Sequence, residues 1–137
     1  MTPFLFVYAS LRSGFKSPAY AYITQFFELV GEAEVDGQFY LLNNIPVAVP
    51  SAKGKITGEL YALKDNDMFN WAMCQLDDYE GVNVEPGEIP KYRRDLVTTQ
   101  KVGQPLKAWI YWYNLPTNHL KQLPSEEVTL LLKKLNQ

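Results

Sequence analysis

Pro3-Phe4-Leu5-Phe6-Val7-Tyr8-Ala9-Ser10-Leu11-Arg12-Ser13-Gly14 is the stretch around which the rest of the chain is organised. Phe4 to Tyr8 are all aromatic, β-branched or aliphatic, with no charge and no break, and this predicts a short strand buried on both faces. Ala9 to Gly14 cannot continue it, because small and polar residues replace the apolar run. A strand ending in a compact turn of small residues points several backbone N–H groups into one concavity, a nest that binds carboxylates or phosphates without a cationic side chain. The competing reading of the same residues is an ordinary β-turn.

Outward from this strand, Ser17-Pro18 offers an N-cap followed by proline at the first helical position, predicting a helix through Ala19 to Ile23 toward Phe27. From Glu28 to Leu42 the pattern is β: Glu32, Glu34 and Asp36 alternate against Ala33 and Val35, and Gly37 marks a bend or bulge before Gln38-Phe39-Tyr40-Leu41-Leu42. Asn43-Asn44 signals a turn, and Pro46 and Pro50 confine Val47-Ala48-Val49 to an edge or an irregular segment. Ile56 to Leu63 reads as the next strand. Asp65 then caps a helix whose apolar stripe is Phe69, Ala72, Met73 and Leu76, at the spacing of a core-facing face. Cys74 lies off that stripe, as a small filler under a neighbouring element.

After Gly81, a loop through Asn83, Pro86, Gly87 and Pro90 is long enough to cover a pocket mouth, or is a plain connector. Tyr92 to Thr99 and Leu106 to Tyr113 predict an antiparallel pair joined around Gly103. In the second strand Leu106, Ala108, Ile110 and Trp112 share one face, while Trp109, Tyr111 and Tyr113 share the other. His119 falls in an exposed loop. Ser125-Glu126-Glu127, followed by Val128, Leu131, Leu132 and Leu135, reads as a capped closing helix with Lys133 and Lys134 near its negative end. The expected fold class is α+β: a small, mostly antiparallel barrel of about six strands with flanking helices.

A chain of 137 residues, 47% hydrophobic and 14% aromatic, has the length and material for a single domain, residues 1–137, with its own core. A net charge of -2 with both signs scattered provides no basic footprint for nucleic acid and no polybasic membrane patch. No apolar run reaches the roughly 20 residues needed to span a bilayer. The N-terminus lacks the marks of a signal peptide and the lone Cys74 makes no internal disulfide, so a cytoplasmic protein is expected. One histidine and one cysteine leave little for a zinc site or a nucleophile–histidine pair. Chemistry must then rest on carboxylates, tyrosines or backbone.

Leu76-Asp77-Asp78-Tyr79-Glu80-Gly81 crowds three acids at the end of a helix whose dipole disfavours them. At 100° per residue from Phe69, Asp78 falls opposite the apolar stripe, Asp77 on its flank, and Glu80 within about 20° of its centre. An inward carboxylate without a dedicated partner has a raised pKa, as a general acid/base needs. The structural alternative is a Glu80 paired with Arg93 or Arg94.

Tyr8-Ala9-Ser10-Leu11 with Arg12 and Gly14, then Leu76 to Gly81, then Tyr92-Arg93-Arg94 and the Ala108-Trp109-Ile110-Tyr111 strand, resemble the gamma-glutamylcyclotransferase-like family, which includes AIG2-like and gamma-glutamylamine cyclotransferase proteins. The resemblance implies a small barrel with flanking helices. It also implies intramolecular aminolysis, in which the α-amine of a γ-glutamyl group attacks its own γ-amide and releases 5-oxoproline and the attached amine, with no metal or cofactor. By the same resemblance Tyr8, Ser10 and Leu11 belong to the substrate-binding loop with Ala9, and Glu80 is the catalytic acid/base. Tyr111 or Tyr113 lines the pocket, and the partner is a small γ-glutamyl compound. The family's loop carries glycine where this chain has Ala9, the feature that favours a non-catalytic metabolite-binding member of the same fold.

Overall fold

The apolar run at the start of the chain forms β1 (Phe4–Val7), and it lies in the middle of a sheet. It pairs antiparallel with β5 (Lys55–Leu63), Leu5 opposite Tyr61, and parallel with β7 (Leu106–Tyr113), Leu5 opposite Trp109. β2 (Phe27–Asp36) flanks β5, and β6 (Tyr92–Thr99) flanks β7, giving the order β2-β5-β1-β7-β6 in this computed structural model, which describes residues 2–8, 18–100 and 104–135. Because side chains alternate along a strand, β1 sends Phe6 to one side and Leu5 and Val7 to the other, and all three are buried. Phe6 and Tyr8 join Ala33, Val35, Ile56, Leu60, Ala108, Ile110 and Trp112 inside the curve of the sheet. Leu5 and Val7 join Tyr61, Leu63 and Tyr111 on the outside. Each fully buried large side chain contributes about 1.5–3 kcal/mol, so two cores of this size account for a strand that is apolar throughout.

The two edges of the sheet meet. The backbone N–H of Glu34 in β2 donates to the carbonyl of Gln100, just past β6, at 3.0 Å, and the Gln100 N–H donates back at 2.8 Å. This one bridge links the two edges of the five-stranded sheet, which is curled and barrel-like. Gly37 ends β2 and turns the chain into a second, three-stranded sheet of order β4-β3-β8, built from β3 (Gln38–Leu42), β4 (Ile45–Val49) and β8 (Lys121–Leu123). A Cβ at position 37 would sit 2.5 Å from Ile56 Cδ1 and 2.9 Å from Trp112 Cη2, so only glycine allows the turn at that depth. The second sheet supplies Phe39, Ala48 and Leu123 to the interior core. β4 is an edge strand, which is why Pro46 is tolerated within it.

Helices cover the outside. α1 (Pro18–Phe26) contributes Ile23 and α2 (Phe69–Glu80) contributes Ala72, Met73 and Leu76, packed on Leu5, Val7, Tyr61 and Tyr111. Asp65 accepts a hydrogen bond from the Asp67 N–H at 3.0 Å, capping a 3-10 turn, Asn66–Met68, that leads into α2. α3 (Ser125–Leu135) closes on the interior core through Val128.

The α+β architecture is the expected one, with three differences. There are eight strands among the described residues rather than about six, because Gly37 splits one predicted β segment between two sheets and β8 is only three residues long. Cys74 is exposed, not covered: α1 reaches the apolar stripe of α2 but leaves the side bearing Cys74 open. Ser125 does not cap α3 with its side chain. Its hydroxyl donates to the Lys55 carbonyl at 2.7 Å, while the Pro124 carbonyl accepts from Glu127 and Val128. Ser17 and Gly103 lie outside the described residues.

Candidate active site

Glu80 is the last residue of α2, and the helix stops there for a local reason. Gly81 adopts the left-handed conformation, φ 73° and ψ 35°, in which its N–H bonds back to the Asp78 carbonyl and the Val82 N–H to the Asp77 carbonyl. This is the paired-bond stop that glycine allows without a Cβ penalty, and Val82 packs on the cluster containing Leu76 to complete it. The stop fixes where the Glu80 side chain leaves the helix.

The three acids of this turn have three separate fates. Asp78 is exposed and accepts from Asn83 Nδ2 at 3.1 Å. Asp77 is buried, although its phase placed it only on the flank of the stripe. Partners make that burial tolerable: Arg94 Nε and Nη2 reach its two oxygens at 2.9 and 3.1 Å, and the Tyr111 hydroxyl donates to Oδ1 at 2.8 Å. Arg94 also lies over the Trp109 ring at 4.6 Å. Arg93, for its part, donates to Asp95 and Asn114. Both arginines are therefore engaged elsewhere, and neither pairs with Glu80.

Glu80 is half-buried and makes no hydrogen bond or ion pair among the described residues. Burial pushes its carboxyl from an ordinary 4.5 up to about 7, with the Lys91 ammonium pulling in the opposite direction. Around it stand three phenols, each raised chiefly by its own burial: Tyr92, pushed up to about 12 with the charge of Glu80 adding to burial; Tyr8, raised further by Tyr92 and Glu80; and Tyr111, raised further by its hydrogen bond to Asp77 and only lastly by Glu80. Tyr8 donates its hydroxyl to the Tyr111 carbonyl, which ties the end of β1 to β7. The rings of Tyr92 and Tyr113 meet edge to face at 5.9 Å, as their register opposite one another requires. A carboxyl titrating near neutrality takes up or gives back a proton at physiological pH, whereas phenols raised this far stay protonated and do not exchange one.

Of the residues singled out from sequence, Tyr8, Glu80 and Tyr111 come together, and Tyr113 joins them through Tyr92. Ala9, Ser10 and Leu11 lie outside the described residues. Tyr92 and Lys91 were not named as site residues, although Lys91 ends the loop expected to cover the pocket. Their signal was available in the pairing of the Tyr92 strand with the Tyr113 strand, which brings the end of the covering loop onto the helix terminus. Among the described residues no group of three His, Cys, Asp or Glu side chains could hold a metal ion, and no helix is long and apolar enough to cross a membrane.

Residues 5–129 match the family model described as gamma-glutamyl cyclotransferase, AIG2-like. Among solved structures, the chain is similar to YkqA from Bacillus subtilis, with a TM-score of 0.67 and 21% identity over 98% of this chain. It spans only 43% of that protein's length. It is similar to ytfP from Escherichia coli, with a TM-score of 0.60 and 28% identity over 89% of this chain and 92% of the other. It also resembles an AIG2-like protein from Mus musculus, with a TM-score of 0.58 and 23% identity over 85% of this chain and 80% of the other. No functionally curated protein matches it. With the family model covering all but the ends of the sequence, and the fold shared with these structures, the chain belongs to the AIG2-like gamma-glutamyl cyclotransferase family.

Proposed function

We propose that the protein is a cyclotransferase that converts a γ-glutamyl amine or γ-glutamyl amino acid to 5-oxoproline, with Glu80 as its single general acid/base. The observation that carries this reading is the half-buried Glu80 carboxyl, set among phenols with both nearby arginines already paired, and titrating near neutrality. In the proposed reaction the substrate's α-ammonium gives a proton to the Glu80 carboxylate. The freed nitrogen attacks the γ-carbonyl, closing a five-membered ring whose nitrogen still carries a surplus proton. The carbon–nitrogen bond to the departing amine breaks as Glu80 delivers its proton there. The regenerated carboxylate then takes the surplus proton from the ring nitrogen and passes it to the freed amine, which leaves as the ammonium. Proton and bond counts balance without a cofactor. The backbone amides of the loop Tyr8-Ala9-Ser10-Leu11 hold the α-carboxylate, and Tyr111 and Tyr113 shape the pocket wall. Proximity supplies much of the rate, because folding the γ-glutamyl chain turns the attack into a unimolecular step.

We assign the protein to the cytoplasm, a reading supported by its single cysteine. A second reading, in which the pocket binds a small anionic metabolite without turning it over, is favoured by Ala9 alone. Release of 5-oxoproline from a panel of γ-glutamyl amines and amino acids decides between them. Catalysis predicts release from at least one compound; binding of the panel with no 5-oxoproline overturns it.

A further inference from the structure

The loop that follows α2 is held at its two ends. Near its start, Asn83 is tied to Asp78; from Asn83 to Ile89 every residue is exposed, and the backbone bond within this stretch is a local turn from the Glu88 N–H to the Glu85 carbonyl at 3.1 Å. Its far end is gripped by Asn114, the first residue after β7. The Asn114 backbone N–H donates to the Lys91 carbonyl at 2.8 Å, Nδ2 donates to the Pro90 carbonyl at 3.0 Å, and Oδ1 accepts from Arg93 Nη1 at 3.1 Å. Extending the β6–β7 ladder by one residue needs only the first of these. The amide side chain adds a hold on Pro90, which has no N–H of its own to anchor the loop.

We propose that Asn114 is a positioning residue for Glu80: by clamping Pro90 and Lys91 it holds the Lys91 ammonium and the Tyr92 phenol beside the Glu80 carboxyl. Lys91 follows the clamped proline directly, and its ammonium lies 5.9 Å from the centre of the Tyr92 ring. The groups facing Glu80 are then Lys91 and Tyr92 from the loop end and β6, Tyr8 from the end of β1, and Tyr111 from β7, with the paired Asp77 and Arg94 behind Tyr111. Lys91 is the one cation in this set without a carboxylate partner among the described residues, and it is the one that opposes the effect of burial on Glu80. Its carbonyl is held by the Asn114 backbone N–H, and because the loop ahead of it is exposed, the side-chain hold on Pro90 is the further restraint that sets the direction in which the chain reaches Lys91.

The inference rests on Glu80 being the acid/base, but its test does not need turnover. Carbon-13 NMR of the Glu80 side-chain carboxyl follows its titration in the wild type, Lys91→Met, Asn114→Ala and the double variant. Removing the ammonium moves the Glu80 midpoint up by about half a pH unit, the effect of one charge several ångströms away across a wet surface. Asn114→Ala moves it in the same direction and adds nothing further in the Lys91→Met background. Where 5-oxoproline is released, the acidic limb of the pH–rate profile moves with it. An Asn114→Ala titration unchanged from wild type, or an equal shift with and without Lys91, overturns the proposal. Asn114→Ser, which keeps the backbone bond and shortens the side chain beyond reach of Pro90, carries the same expectation if the alanine variant does not fold.

Discussion

Asp77 and Glu80 stand three residues apart on one helix, and their environments give them opposite properties. Asp77 is enclosed by a guanidinium and a phenol, so its burial is offset by charge-assisted hydrogen bonds. Glu80 has no such partner among the described residues, so burial falls on its charged form and raises its pKa. The structural partner and the proton carrier are thus distinguished by surroundings rather than by residue type. Helical phase identified Glu80 as inward-facing but left Asp77 on the flank, because phase knows nothing of an arginine arriving from another strand. Tyr111→Phe tests the assignment of Asp77 to structure. It deletes one hydrogen bond to a charged, buried oxygen and is expected to lower stability by about 1.5–3 kcal/mol in urea unfolding. A change below about 0.5 kcal/mol would place Tyr111 outside the network.

At the scale of elements, the end of α2 does most to place the site. Gly81 was legible as a stop because glycine after an apolar-periodic run is the commonest way to terminate a helix, and Val82 follows it as the stop's apolar contact. Gly81→Ala keeps the sequence helical but forces a Cβ into a φ of 73°, with open space around it. The expected cost is therefore strain alone, about 1 kcal/mol, read as a lower urea midpoint with unchanged slope. A cost above about 3 kcal/mol would mean the residue packs against something. The strands were equally legible where they alternate or run wholly apolar. β8 was not, since three residues carry no period, and neither was the exposure of Cys74, which depends on how far α1 extends across its neighbour.

The whole molecule brings its ends of strands to one place: Tyr8 at the end of β1, Tyr111 and Tyr113 at the end of β7, and Tyr92 at the start of β6. That convergence follows from the parallel pairing of β1 with β7 and the antiparallel pairing of β7 with β6. The second pairing was legible in the sequence as an antiparallel pair, but the first joins strands about a hundred residues apart and cannot be read locally, so the gathering of Tyr92 with Tyr8 was not. The bridge between Glu34 and Gln100 is where the two edges of the curled sheet meet. Hydrogen exchange tests it: both amides are expected to exchange as slowly as interior β5 amides, whereas exchange at the rate of exposed edge strands would mean the seam is open in solution.

The central claim is that Glu80 carries the proton, and one variant tests it most directly. Glu80→Gln keeps shape and hydrogen bonding and removes only proton exchange. 5-oxoproline release is expected to fall by about 100-fold or more. The same samples report stability. Between the ordinary pKa of 4.5 and the folded value of about 7, the folded state retains a proton that the unfolded chain has lost, so wild-type stability falls as pH rises through this window. Glu80→Gln abolishes that loss, so its Tm relative to wild type is expected to be higher at about pH 8 than at about pH 5. Loss of release with this gain in stability is the predicted result; full release, or a variant whose Tm falls relative to wild type as pH rises, would contradict it.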